Sequence, residues 1–226
     1  MPPAFLAVLS ETGTLVSLDE FHDWYDNEHI PLRMKLASFL TAARFSAADE
    51  KKPSWLALYD VDNTATFDDE SYTRLRRDRS QREADVVEKL EVLDRRTCEV
   101  VWDSGESVRT SSLGVENPTR EIVTHELESE GADEGIKRVK ELVDGLRKED
   151  GWVRTRLFKC IDVGLGVAEA QTAAPFLVLH GTSCVGGTPG LLSWALEFVN
   201  FGTAVDGLAG QVEVRKWQLY RSFARV

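Results

Sequence analysis

The sequence has little cysteine and no long apolar run, and both absences restrict the class of protein. Only three cysteines, Cys98, Cys160 and Cys184, occur in 226 residues, and no Cys-x-x-Cys motif is present. So sparse and odd a set predicts neither a disulfide framework nor a zinc site. No stretch approaches the roughly 20 apolar residues that a membrane span needs. The first residues also lack the cationic segment of a signal peptide, so we expect a cytoplasmic protein.

Basic residues are also fewer than acidic ones. The chain has 27 Lys and Arg against 38 Asp and Glu, which gives a formal net charge of −11. A surface that acidic repels phosphate backbones and anionic lipids, so we expect neither nucleic acid nor membrane as a partner. The hydrophobic share of 42% is typical of a globular protein with a sizeable core. The expected partner is a small aromatic molecule, and a homodimer is left open.

Hydrophobic periodicity and turn signals predict the same order of elements, βαββαβ, twice along the chain. In the first half the predicted order is strand 5–9, helix 18–36, strands 39–45 and 55–61, helix 71–90 and strand 93–102. In the second half it is strand 121–127, helix 133–148, strands 152–161 and 176–180, helix 190–205 and strand 212–223.

A segment rich in Ser, Gly, Glu and Pro separates these halves. We therefore predict an N-terminal half over 1–103, a linker over 104–119 and a C-terminal half over 120–226. A βαββαβ unit is a ferredoxin-like, α+β fold with helices on one face of an antiparallel sheet. Because the other sheet face is also apolar, we expect the two sheets to face each other in a pseudo-dimer within one chain. This arrangement predicts a pocket between the sheets.

The most informative segment lies in the first predicted helix. Phe21, Tyr25 and His29 recur at i, i+4 and i+8 and so share one helical stripe, with Tyr25 one turn before the imidazole. Pro31 predicts that the helix kinks or ends near His29. An imidazole titrates near neutrality and can take or give a proton, Tyr25 can hold a substrate oxygen, and Asp26 can hold the other ring nitrogen. The alternative is that the stripe serves packing alone.

Further residues are candidates for the pocket. The aromatic residues expected to contact a planar substrate are Phe21, Phe45, Trp55, Tyr59 and Trp217, and core packing is the alternative for each. His125 and His180 could line a cavity of the second half, or be ordinary strand-end histidines. The sequence has no HExxH motif, no complete dinucleotide fingerprint and no phosphate-binding loop, so we expect neither a metal nor a cofactor.

The first predicted helix and the strand after it carry the motif Phe21-x-x-x-Tyr25-x-x-x-His29-x-Pro31 followed by Arg44-Phe45. This motif resembles the signature of the EthD-like branch of the dimeric α/β-barrel superfamily. The resemblance implies a cofactor-free cyclase, isomerase, dehydratase or decarboxylase that acts on aromatic or polyketide-like compounds. It also implies that His29 is the acid/base. The corresponding helix of the second half, at 134–142, has neither the Tyr nor the His, which predicts one site per chain.

From these observations we expect a cofactor-independent cyclase or isomerase acting on a phenolic, polyketide-type substrate such as a chalcone-like compound. His29 would be the general base and then the general acid, and Tyr25 would stabilise the developing oxyanion. Three alternatives stay open at this point. They are a dehydratase or decarboxylase for the same substrate class, a haem-degrading or other oxygenase of the same superfamily, and a non-catalytic protein that binds a hydrophobic metabolite.

Overall fold

A computed structural model of the chain describes residues 1–129, 131–148, 151–166, 174–183 and 214–225. The strands are β1 (Ala4–Glu11), β2 (Phe39–Ala47), β3 (Trp55–Val61), β4 (Val92–Asp103), β5 (Glu121–Leu127), β6 (Trp152–Gly166), β7 (Phe176–Thr182) and β8 (Val214–Phe223). The helices are α1 (Leu18–Trp24), α2 (Ile30–Met34), α3 (Glu70–Arg77), α4 (Gln81–Lys89) and α5 (Ala132–Leu146). A π-helical turn, Tyr25–His29, joins α1 to α2, and a 3₁₀ turn, Thr64–Phe67, precedes α3.

The eight strands close into one antiparallel barrel in the order β1-β3-β2-β8-β5-β7-β6-β4. The first four strands lie together as β4-β1-β3-β2, and the last four as β8-β5-β7-β6. Counted within its own half, each group has the same order: fourth, first, third, second. The two groups meet at the β2–β8 and β4–β6 pairs. The α+β class and the predicted strands are therefore confirmed.

Alternating residues of the strands separate an interior from an outer layer. On β1, Phe5 and Ala7 belong to the cluster inside the barrel, whereas Leu6 and Val8 belong to the cluster under the helices of the first half. A third cluster lies between the second half's sheet and α5. The interior cluster consists of buried side chains: Phe5, Ala7, Ala43, Phe45, Leu56, Leu58, Cys98, Leu113, Ile122, Phe158, Leu177, Leu179 and Trp217.

Several boundaries differ from the predictions for local reasons. The predicted helix 18–36 is divided by the π-helical turn, and the predicted helix 71–90 is two helices, of which α3 starts at the Asp69 cap and α4 at the Ser80 cap. The predicted linker is irregular, as expected, and Leu113 within it is buried in the barrel interior. The predicted helix 190–205 lies outside the described residues.

Candidate active site

The helical stripe predicted from the sequence is present, on the outer layer of the first half. The Ser17 side chain caps α1 by accepting a hydrogen bond from the Glu20 N–H. The Phe21 and Tyr25 rings meet edge to face at 5.0 Å between centroids, and the Tyr25 and His29 rings do so at 4.9 Å. All three side chains are buried between the helices and the sheet. These three side chains are therefore not in the expected place between the two sheets, where the interior cluster lies instead.

A π-helical turn presents His29. The Ile30 N–H bonds to the Tyr25 carbonyl, five residues back, instead of four. Pro31 follows at once and has no N–H to donate, so the ordinary helical hydrogen-bond pattern is already interrupted there. The wider turn also brings the Trp24 ring within 4.5 Å of the His29 ring. Single π turns within helices frequently occur at functional sites.

A carboxylate from a distant helix faces the imidazole. The Oε1 atom of Glu83, on α4, lies 3.2 Å from Nδ1 of His29 and 3.9 Å from Nη2 of Arg33. Arg33 also donates a 2.7 Å hydrogen bond to the His29 carbonyl. Burial and the Arg33 charge lower the pKa of His29 to about 4, against the opposing effect of Glu83. His29 is thus neutral at physiological pH, and Glu83 favours the tautomer that carries the proton on Nδ1 and the lone pair on Nε2.

Four polar atoms in this layer are buried without a well-aligned hydrogen bond among the described residues: Trp24 Nε1, Tyr25 Oη, Tyr59 Oη and His29 Nδ1, the last of which faces Glu83. Burial raises the pKa of both tyrosines, so both hydroxyls keep their protons and remain donors. Tyr25 contributes to the raised pKa of Tyr59, and a contact with the Ser10 side chain opposes the rise in the pKa of Tyr25. Because a buried unpaired donor is costly, such a cluster indicates a place where an acceptor belongs.

The sequence suggested that Asp26 holds the His29 ring, but in the structure Asp26 has other partners. Its two oxygens instead accept hydrogen bonds from Arg44 Nη1 at 2.6 Å and from Arg221 Nη1 at 2.9 Å. Arg44 is fully buried, and its Nη2 lies 3.0 Å from His22 Nδ1. The guanidinium carbon of Arg44 is 4.4–5.5 Å from the centroids of four rings, those of Phe21, Tyr25, Trp55 and Tyr220. This aromatic box anchors the stripe to the sheet.

The predicted substrate-contacting residues divide between two compartments. Phe21 and Tyr59 lie in the outer layer with His29, and the half-buried Trp55 packs against the same cluster. Phe45 and Trp217 lie inside the barrel, on the opposite face of the sheet, in the interior cluster. The sheet therefore separates these last two from the imidazole.

Glu83, Arg33 and Trp24 were missed by the sequence analysis. Glu83 lies in the charged helix predicted over 71–90, and its side chain is buried against His29. No spacing rule relates residues on two separate helices, so only the tertiary structure identifies this pair. Trp24 had a weak signal, since it precedes Tyr25 on a helix that ends in a disrupted turn.

His125 and His180 lie on the outer face of the second half's sheet, on β5 and β7. Their Nε2 atoms are 3.1 Å apart, and His180 Nδ1 is 2.8 Å from the Thr155 hydroxyl. Trp152 Nε1 donates to that hydroxyl, and His125 Nδ1 is 3.2 Å from the Glu126 carbonyl. One set of tautomers satisfies every contact: His125 donates from Nδ1, and His180 donates from Nε2. Both imidazoles are neutral, since burial lowers their pKa values.

Metal ligands and membrane spans can be considered for the described residues only. Within them, no group of three or more His, Cys, Asp or Glu side chains could hold a metal ion. Among the helices of that same part of the chain, none combines the length and the apolar character needed to cross a membrane.

Comparison with known proteins adds information on the fold. No family model and no curated protein matches the sequence. An anthrone oxidase-like protein aligns with a TM-score of 0.57 at 11% identity, over 98% of this chain and 92% of that one. A presumed monooxygenase of Fusobacterium nucleatum aligns with a TM-score of 0.56 at 9% identity, over 98% of this chain and 94% of that one. A presumed monooxygenase of Lactobacillus acidophilus aligns with a TM-score of 0.53 at 10% identity, over 100% of this chain and 97% of that one. The chain therefore shares with these structures an α+β fold built on a closed eight-stranded barrel. At these identities the likeness extends to the fold alone.

Proposed function

We propose that this α/β-barrel chain is an enzyme that transfers a proton on a small phenolic or enolisable aromatic compound, bound beside His29 in the outer layer of the first half. The single observation that carries the proposal is the set of buried donors, Trp24 Nε1, Tyr25 Oη and Tyr59 Oη, in the same layer as a neutral imidazole. Donors of this kind stabilise negative charge that develops on a substrate oxygen. The surrounding rings suit a planar substrate.

The proposed chemistry starts at Nε2 of His29, which takes the proton of a phenol or of a carbon next to a carbonyl. Glu83 then faces an imidazolium and stabilises it, while the tyrosine hydroxyls donate to the new oxyanion. Proton transfer of this kind contributes about 10²–10⁴-fold to the rate, and the binding geometry adds the effect of orientation. None of these steps uses a cofactor or metal.

Two fates of the anion are proposed, each with its own support. In the first, the phenolate oxygen adds to the double bond of an enone, and His29 returns the proton to carbon, so that substrate and product are isomers. The resemblance of the Phe21–His29 motif to the EthD-like signature supports this cyclase reaction, and leaves dehydration or decarboxylation as variants. In the second, O₂ oxidises an activated CH₂ group to C=O and forms water, as the fold likeness to an anthrone oxidase-like protein suggests.

One experiment distinguishes these reactions from simple binding. The purified chain is incubated with a 2′-hydroxychalcone or with an anthrone, while product formation and O₂ consumption are followed. Ring closure consumes no O₂, whereas oxidation consumes one O₂ for each product molecule. His29→Ala should lower kcat by about 10²–10⁴-fold, and Asn27→Ala, an exposed position on the same turn, should not. Binding of either compound without turnover by the unaltered chain would support the metabolite-binding alternative and contradict the enzyme proposal.

We also propose that the chain consists of two ferredoxin-like repeats, 1–103 and 120–226, joined by the linker 104–119. The matching strand order of the two halves supports this division. The catalytic residues named above all belong to the first repeat, while the corresponding layer of the second repeat contains the His125–His180 pair. We expect one catalytic site per chain for this reason.

A further inference from the structure

Two cysteines meet across the junction between the halves of the barrel. Cys98 on β4 is the register partner of Cys160 on β6. The two Sγ atoms are 3.6 Å apart, and both thiols are free. Register partners on antiparallel strands have Cα atoms about 4.5–5.5 Å apart, which lies within the range that a disulfide spans. A rotation of the side chains is therefore enough to bring the sulfurs to bonding distance.

The surroundings give the two thiols different roles. Cys98 is completely buried in the barrel interior, whereas Cys160 is partly exposed. The Cys98 thiol donates to the Cys160 sulfur and so lowers the pKa of Cys160, and the Arg96 guanidinium lowers it further. The same contact and burial raise the pKa of Cys98. Cys160 is thus the more exposed thiol and the one that more readily becomes a thiolate.

We propose that Cys98 and Cys160 form an oxidation site, at which a hydroperoxide converts the two thiols into a disulfide that joins β4 to β6. In the first step the Cys160 thiolate attacks the peroxide oxygen and becomes a sulfenic acid, and the peroxide is reduced to water or an alcohol. In the second step the Cys98 sulfur attacks the sulfenic sulfur, and water leaves. The balance is two thiols and one hydroperoxide giving one disulfide, one water and one water or alcohol.

The position of this bond gives it a structural consequence. The β4–β6 pair is one of the two junctions between the first four and the last four strands. A disulfide there would link residues that are 62 positions apart, so it would restrict the unfolded chain strongly. The oxidised protein should consequently unfold at a higher temperature than the reduced one, and reduction should reverse the difference.

The test uses the full chain with Cys184→Ser, so that only these two thiols remain. Equimolar hydrogen peroxide should lower the intact mass by about 2 Da, abolish thiol labelling after denaturation and give a Cys98–Cys160 linked peptide. The melting temperature should rise by roughly 5–15 °C and return to its starting value after reduction. If both thiols remain or only oxygen is added, the oxidation site is refuted. If the disulfide forms and the melting temperature does not change, the proposed stabilisation of the fold is refuted.

Two matched variants in the Cys184→Ser background assign the order of the steps. With Cys98→Ser, peroxide should leave a sulfenic acid on Cys160 that a dimedone probe labels. With Cys160→Ser, Cys98 should react much more slowly, because it is buried and protonated. Faster labelling of Cys98 than of Cys160 would reverse the assigned roles. Circular dichroism of each variant confirms that the fold is retained before the chemistry is compared.

Discussion

At His29, burial and a facing carboxylate act on the pKa in opposite directions. Burial is the larger effect and, with Arg33, lowers the pKa of the imidazole to about 4, although Glu83 lies 3.2 Å away. The low pKa keeps the ring unprotonated over the whole neutral range. The carboxylate favours the Nδ1–H tautomer of this neutral ring, and in the proposed reaction it would also stabilise the imidazolium that forms when the ring accepts a proton.

This arrangement predicts the pH dependence of the proposed reaction. Only the neutral imidazole accepts a proton, so kcat/KM should stay constant as the pH falls from 8 to 5 and decrease near the folded pKa of about 4. In Glu83→Gln the imidazolium loses its counter-charge, so kcat should fall by about 10-fold or more. The measurement is a pH–rate profile limited to the range in which the protein stays folded. An acid limb near 6.5, the value of a free imidazole, would contradict the burial argument.

Arg44 is the second residue whose environment leads to a prediction. Its buried cation is held by Asp26 and by four rings, so Arg44→Met should leave the largely buried Asp26 carboxylate poorly compensated. We expect the free energy of unfolding to fall by about 3–5 kcal/mol in urea titrations. Arg221→Met removes the other, solvent-exposed partner of the same carboxylate and is the control, expected to cost about 1 kcal/mol or less. Equal losses in the two variants would show that the aromatic box contributes nothing.

At the scale of the helix, the sequence predicted a disruption near His29 but not its form. Pro31 excludes an uninterrupted α-helix, and this followed from the residue type alone. The choice of a π turn depends on packing, because the extra residue directs Tyr25, His29 and Trp24 together into the layer above the sheet. The partner Glu83 was not predictable, since it comes from α4 and no local pattern relates the two segments.

Removal of one residue from the turn tests its role. A π turn is an α-helix with one extra residue, so deletion of Asn27, whose side chain is exposed, should convert it into an α-helical turn. We expect His29 to lose its contact with Glu83 and the activity to fall as far as in His29→Ala. An NMR titration should show the His29 pKa rising from about 4 toward 6.5 as the ring becomes exposed. Asn27→Ala keeps the chain length and should leave both quantities unchanged; an unchanged pKa in the deletion would contradict the proposed role.

For the whole molecule, the succession of strands along the chain was the part that the sequence pattern predicted well. Short apolar runs identified the strands of both halves, because each strand packs on both of its faces. Such runs could not indicate which layer contains the candidate site residues. A helical stripe shows which side of the helix is buried, but it does not show whether the space between the sheets is open. Here Phe45 and Trp217 belong to the interior cluster, and the imidazole lies on the opposite face of the sheet.

Acid should destabilise the fold as a whole, because three of its buried groups are histidines that must be neutral. Burial lowers the pKa of His29 and of His125 to about 4, and it lowers that of His180 as well. The unfolded chain binds these protons near pH 6.5, so the contribution of each residue is fully present above that pH and is lost as the pH falls toward the folded pKa. Each histidine should add up to about 1.4 kcal/mol per pH unit to the slope between these limits.

Urea titrations from pH 7 to 4.5 measure this slope directly. His125→Gln removes one titrating group and should reduce the slope by about 1.4 kcal/mol per pH unit, even though the variant is less stable at pH 7. His29→Gln, in the other half of the barrel, should reduce the slope by a similar amount. Because the two residues lie in separate clusters, their effects should add in the double variant. A wild-type slope retained in the double variant would show that the buried imidazoles are not the source of acid sensitivity.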